Sequence, residues 1–160
     1  MSELKRRLLE DIFYPPHEPR KASALYKRTH KKLIYEMNEP CWICGIRRSD
    51  WLKLPKELQS KWQLETHHVE LEWAAANGVD LKKITADFKE IMADPDKLRH
   101  WLDSEGNMLV LCATHHRGAR TGIHMISYPA WKLQRWQIKE GFNFIHEPYW
   151  QDLLPPNQPT

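Results

Sequence analysis

The sequence predicts an α+β fold in which a small two-stranded core is closed by a metal knuckle and elaborated by N-terminal, inserted and C-terminal helices. Three observations carry that prediction. Two short segments have strand character, KWQLETHH through its period-two alternation and NMLVL through its apolar run. Two knuckles of ligand residues, CWIC and CATH, flank these segments. Helical patterning fills most of the remaining chain, and 160 residues supply one modest core plus terminal extensions rather than two independent cores.

Taken in order, residues 1–40 form a basic helical extension. YPPHEPRK is a proline-broken linker, and the helix after it begins with Ser23 as N-cap. Tyr26, His30, Leu33 and Met37 share one face of that helix, while Lys27, Arg28, Lys31 and Lys32 make a basic side. That side is either a solvated charged face or a stripe that follows a phosphate backbone without reading sequence. Pro40 ends the helix just before CWICG. Residues 41–125 form the core, in which Lys61 to His68 is the first strand, Trp62, Leu64 and Thr66 alternating with Lys61, Gln63 and Glu65. Residues 69–106 read as a helical insertion of two or three helices, the last starting at Asp94 as cap with Pro95 in its first turn. Asn107 to Leu111 is the second strand, and CATHHRGAR is a short helix that Gly122 can terminate. Residues 126–160 hold a further helix, PAWKLQRWQIKEGF, and a frayed tail, LLPPNQPT. The eight tryptophans are scattered rather than aligned, which suits core packing better than base stacking.

Charge and composition narrow the function classes. Twenty-four Lys and Arg against 21 Asp and Glu leave +3, compatible with a nucleic-acid partner without demanding one. No run of about 18 apolar residues is present to span a bilayer, and MSELKRRLLEDIF lacks the apolar centre of a secretory signal. A cytoplasmic protein without a membrane partner is therefore expected. Three cysteines cannot form a closed disulfide set, and in a reducing compartment CWIC is a metal knuckle more often than a bridge. Cys41 and Cys44 reach one ion from a tight turn, and Cys112 with His115 repeats the spacing as CxxH. Four such ligands suit tetrahedral Zn²⁺, and with no position left open the site is structural. The alternative is three buried, unliganded cysteines.

The order CWIC, THHVE, the Asn of GNMLVLC, then CATHH resembles the HNH endonucleases, a ββα-metal family in which two antiparallel strands and a helix surround one divalent cation. The resemblance spans roughly residues 40 to 125 and is nearest to the small phage-type members, whose GIH is matched here in TGIH. It implies that His68 is the general base, that His67 is the first ligand of the catalytic cation, and that His116 is the second. Asn107 would tie down the loop between the strands and hold His68 in place. The spacing favours His115 on zinc and His116 on the cation, although neighbouring histidines are chemically exchangeable. The long interval from His68 to Asn107 departs from compact relatives and accounts for the insertion, which either shapes a DNA groove or partner surface or is a packed cap.

These roles fit phosphodiester hydrolysis, which needs an in-line water, a base near neutral pKa and positive charge at the phosphate. Imidazole supplies the base. A cation with two protein ligands keeps open positions for water and phosphate; it is Mg²⁺, Mn²⁺ or Ni²⁺, and two neutral imidazoles favour Mn²⁺, Ni²⁺ or Co²⁺ over Mg²⁺. Arg117 and Arg120 are candidate phosphate contacts, and His124 either approaches the phosphate from beyond the helix end or packs there. Glu70 and Glu72 are surface or capping residues, or orient a histidine. His17, His30, His100 and His146 are read as structural or surface residues. The expected function is a DNA endonuclease that nicks one strand at a time. Its rivals are a non-catalytic zinc-knuckle module docking DNA or another phage protein, and an accessory nuclease beside a phage packaging terminase.

Overall fold

The structure, a computed structural model, describes residues 16–128, 131, 135 and 150–154. Most of the C-terminal helix expected in PAWKLQRWQIKEGF, His146 and the tail after residue 154 lie outside the described residues, as does the chain before residue 16. The described part is α+β: one two-stranded antiparallel sheet, with helices before, between and after its strands. No helix among the described residues is long and apolar enough to cross a membrane.

Helix α1 spans Ala24–Lys31, and Ser23 caps it, its hydroxyl accepting from the Tyr26 amide. The chain then widens into a π-helical turn, Lys32–Glu36, in which the Met37 amide bonds to the Lys32 carbonyl. That extra residue per turn rotates the apolar face. Thr29, Leu33 and Ile34 are buried, whereas Met37 is 47% exposed and does not share the buried face expected from α-helical spacing. Lys27, Arg28, Lys31 and Lys32 are exposed, with Lys31 paired to Glu36 and Lys32 to Glu105.

Two short helices follow the first knuckle, α2 (Arg48–Trp51) and α3 (Lys56–Trp62). The strand β1 runs Leu64–His68 and pairs antiparallel with β2, Met108–Cys112, placing His68 opposite Met108 and Leu64 opposite Cys112. The first strand is therefore shorter than the sequence suggested. Lys61 and Trp62 close α3 instead, and Trp62 is buried from the helix end. Alternation over so few residues does not separate a helix end from a strand start.

Both faces of the sheet are covered. Thr66 and His68 point toward α1: the Thr66 hydroxyl meets His30 Nδ1 at 3.1 Å and the Tyr26 hydroxyl at 3.2 Å. Glu65 and His67, on the opposite face as strand geometry requires, meet α6 (Ala113–Arg117). This helix ends at Gly118, not Gly122. A Cβ at Gly118 would lie 2.3 Å from the Thr114 carbonyl oxygen, and one at Gly122 would lie 2.7 Å from the Gly118 amide nitrogen. Only glycine permits the chain to fold back so tightly. The doubled-back turn is anchored by the Ile123 amide donating to the His115 carbonyl at 3.0 Å.

The main core joins Leu33, Ile34, Ile46, Leu54, Trp62, Leu64, Val110 and Leu111 with Trp131 and Trp150. Of the eight tryptophans, the seven that are described are buried or half-buried, consistent with packing. The insertion holds a 3₁₀ helix (Trp73–Gly78), α4 (Leu81–Asp87) and α5 (Pro95–Leu102), capped by Asp94 with Pro95 in its first turn. It carries its own apolar cluster of Ile91, Leu98 and Trp101 packed with Leu71, Ile84 and Phe88.

Asn107, fully buried, closes the base of this excursion. Its Oδ1 accepts from the Glu70 and Leu71 amides at 2.9 and 3.1 Å, and its Nδ2 donates to the Leu71 and Leu102 carbonyls at 2.9 and 3.1 Å. Truncation would leave several buried backbone groups unpaired. Asn107→Ala is expected to lower the unfolding free energy by about 3 kcal/mol, measured by urea denaturation. A loss below about 1 kcal/mol would mean that other contacts hold the loop.

Candidate functional site

Two clusters of potential metal ligands meet at α6. In the first, Cys41, Cys44, Cys112 and His115 have ligand atoms all within 4.8 Å of one another. The Cys41 knuckle is shaped by Gly45, at φ +76°, and by the Cys41 amide bonding to the Ile46 carbonyl at 2.8 Å. The Trp42 amide donates to the Val110 carbonyl at 2.9 Å, so the knuckle hangs from the edge of β2. Cys112 ends β2 and caps α6, and His115 lies one turn on.

The donor set fits zinc. Tetrahedral Zn²⁺ with Zn–S near 2.3 Å and Zn–N near 2.0 Å separates sulfurs by about 3.8 Å and sulfur from nitrogen by about 3.5 Å. Cys44 Sγ and Cys112 Sγ are 3.9 Å apart, Cys41 Sγ and His115 Nδ1 3.8 Å, and Cys112 Sγ and His115 Nδ1 3.1 Å. Burial pushes the Cys44 and Cys112 thiols well above their ordinary 9.0. At Cys41 burial acts the same way, but hydrogen bonds from Cys112, Cys44 and His115 outweigh it and hold that thiol well below 9.0. Three buried thiolates would repel one another without a cation, and a dication removes that cost. Indole N–H groups brace the backbone of both knuckles, Trp131 donating to the His115 carbonyl and Trp150 to the Cys44 carbonyl, each at 2.8 Å.

The second cluster is His67, His116 and His124, again with ligand atoms within 4.8 Å of one another. The order of the adjacent histidines is thereby resolved: His115 faces the cysteines and His116 faces His67. Glu65 Oε2 accepts from His116 Nδ1 at 2.6 Å, which leaves His116 Nε2 bare toward His124 Nε2, 3.2 Å away. Two nitrogens on one ion at about 2.1 Å stand about 3.0–3.4 Å apart in octahedral or tetrahedral arrangements, so this spacing suits a shared cation. Arg117 forks onto the same Glu65 carboxylate. Burial raises the Glu65 pKa, but the His116 and Arg117 hydrogen bonds outweigh it and hold it below 4.5. Burial first, and then the cost of placing a second positive charge beside His116, His124, His68 and Arg20, lowers His67 to about 2, keeping its ring neutral and available as a ligand.

His68 stands apart from this triplet. It is only 3% exposed, and its Nε2 lies 3.0 Å from Asp103 Oδ1 on the opposite side of the strand. Glu72 is the bridge back: its carboxylate lies 3.5 Å from His67 Nε2, 3.9 Å from His68 Nδ1 and 3.8 Å from His124 Nδ1. Arg117 and the exposed Arg120 line, with Lys61, Thr114 and Thr121, a cleft of about 450 Å³ beside α6. His17 packs edge-on against Trp73, and His30 packs against Tyr26 and Tyr35.

His124, for which the sequence left open a phosphate contact or simple packing, has its ring beside those of His67 and His116; the paired glycines at 118 and 122 were the available sign of a tight return after α6. Glu65, Asp103 and Arg20 were not singled out. Glu65 was legible only as the residue two before His67 and hence on its face. No protein family, curated protein or solved structure matches the chain.

Asp103 accepts from Ser23 Oγ at 2.6 Å and from Arg20 at 3.3 Å. Burial raises its pKa, but the hydrogen bonds from His68 and Ser23 and the Arg20 charge prevail, leaving it below the ordinary 3.8. A carboxyl whose folded pKa is depressed contributes stability above its unfolded pKa and loses it as pH falls through the folded value. Asp103→Asn is therefore expected to destabilise the protein at neutral pH and to differ progressively less from wild type below pH 3.8, followed by thermal melts across pH. For the cysteine cluster, Cys112→Ala should purify without zinc while His124→Ala retains it, and Co²⁺ substitution should give the visible absorption of tetrahedral thiolate coordination. Zinc retained in Cys112→Ala would rule out the assignment.

Proposed function

We propose that the chain is a metal-dependent DNA endonuclease of the HNH type, with β1, β2 and α6 as its ββα core. The observation that carries this reading is the convergence of His67 from β1, His116 from α6 and His124 from the following turn on one point, beside His68 on the same strand. A divalent cation held by these three would supply Lewis-acid charge to the scissile phosphate. His67 and His116 are neutral-nitrogen donors, and Glu65 fixes the ring of His116 in the required tautomer. His68 takes the proton of the attacking water, its Nδ1 lying on the side that Glu72 shares with His67 and His124. Arg117 and Arg120, which line the cleft next to α6, steady the strand through its phosphates. An imidazole-rich set favours Mn²⁺, Ni²⁺ or Co²⁺ over Mg²⁺. A core with one such centre cuts one strand at a time.

A second reading, a zinc-knuckle module that docks without cutting, is favoured by one observation: His68 is almost wholly buried and engaged with Asp103. Nicking of supercoiled plasmid separates the two. Metal-stripped protein given Mn²⁺ or Ni²⁺ is expected to nick, and His68→Ala and His116→Ala to lower the rate by about 100-fold or more while retaining zinc. Wild-type rates in His68→Ala would eliminate His68 as base, and nicking strongest with Mg²⁺ alone would contradict the triple-histidine centre.

A further inference from the structure

We propose that Asp103 is the positioning residue of His68, fixing its ring as the Nε2–H tautomer so that Nδ1 is the proton-accepting atom. Its catalytic consequence rests on the nuclease reading; the tautomer rests on geometry alone.

Three groups crowd one oxygen. His68 Nε2 lies 3.0 Å from Asp103 Oδ1, Arg20 Nη2 lies 3.3 Å from the same oxygen, and the two nitrogens are 3.3 Å apart. A guanidinium nitrogen only donates. Were His68 Nε2 bare, it could accept from Arg20 at 3.3 Å, but its lone pair would then face a carboxylate lone pair at the shorter 3.0 Å in a buried setting, which is repulsive. Were it protonated, both nitrogens would donate to a single negative oxygen, and their mutual approach would follow from sharing that acceptor. Asp103 Oδ2 is taken by Ser23 Oγ at 2.6 Å, so neither oxygen can rotate away cheaply. The side chains of His68 and Asp103 are 3% and 10% exposed, and exclusion of water strengthens the bond and removes competitors for it.

The carboxylate is itself fixed from two directions. The Thr29 hydroxyl of α1 donates to the Asp103 carbonyl at 2.8 Å, and Arg20 stacks over Tyr26 with its guanidinium carbon 4.7 Å from the ring centre. Asp103 follows directly on Leu102, whose carbonyl Asn107 holds. The remaining ring atom, Nδ1, has the Glu72 carboxylate 3.9 Å away, too far for a hydrogen bond. On the side of the histidine triplet it is thus not bonded to Glu72. A base oriented through its distal nitrogen by a buried carboxylate is a recurring catalytic arrangement, in which the carboxylate sets tautomer and direction rather than taking the proton.

The test uses the full-length, zinc-loaded chain with ¹⁵N-labelled histidine. Wild type is expected to show His68 as the Nε2–H tautomer; in Asp103→Asn, whose amide can present either an oxygen or an N–H, that preference should be lost. With Mn²⁺ the same variant should nick with kcat lowered at least about tenfold at unchanged KM and zinc content, and Asp103→Glu should recover part of it. Ser23→Ala, which removes the Oδ2 bond and the cap of α1 but leaves Oδ1 on His68, should keep the tautomer and serves if Asp103→Asn does not fold. A wild-type Nδ1–H tautomer at His68, or Asp103→Asn nicking with wild-type kcat, overturns the proposal. A wild type that fails to nick with Mg²⁺, Mn²⁺ and Ni²⁺ overturns the nuclease reading and the catalytic role together, while the tautomer signal still decides whether Asp103 orients the ring.

Discussion

An α-helix turns about 100° per residue, and the arrangement of both clusters depends on that rotation within Ala113–Arg117. His115 and His116 are chemically identical neighbours, yet one faces three cysteines and the other faces His67 and Glu65. Any slip of this short helix would exchange their environments. Several contacts oppose a slip: Cys112 is both strand end and helix cap, the Thr114 hydroxyl donates to the Lys61 carbonyl, and Trp131 and the Ile123 amide both hold the His115 carbonyl. The cysteine cluster is thus the fixed reference from which the direction of His116 follows.

The sheet adds a second division. Alternation along β1 sends Glu65 and His67 to the α6 side, and Thr66 and His68 to the α1 side. Two strands alone are too few to be stable in water, and here each face is covered by a different set of helices. Burying so many polar groups is tolerable because each finds a partner: Thr66 with His30 and Tyr26, His68 with Asp103, His116 with Glu65. His67 is the exception in kind. It is buried among other rings that raise the cost of protonating it, 3.5 Å from Glu72, and with His116 and His124 it could hold a metal ion.

Much of this was legible because it is written in local chemistry. Ser23 and Asp94 act through their own side chains on nearby amides, and CWIC with CATH fixes ligand type and spacing within a turn. The α+β class followed from the same signals. What escaped depends on backbone detail or distant partners. The π-helical turn after α1 moves Met37 out of the buried face without any change in residue type. Lys61 and Trp62 continue the alternation of β1 by coincidence while closing α3. Asp103 and Arg20 meet His68 across long stretches of chain, and neither carries a motif that would point there.

The closure at Asn107 has a consequence for how such a chain can change. Its side chain binds Leu71 and Leu102 at once, so both ends of the excursion are joined beneath the sheet whatever lies between them. The excursion packs on its own apolar cluster, and each doubling in length of a closed loop costs only about 0.6 kcal/mol. Apart from Glu72, which reaches the histidines, the segment between those residues is therefore an exchangeable compartment. Its length and surface can diverge while β1 and β2 keep their register, and new binding preferences can arise there without disturbing the ligands that the sheet and α6 present.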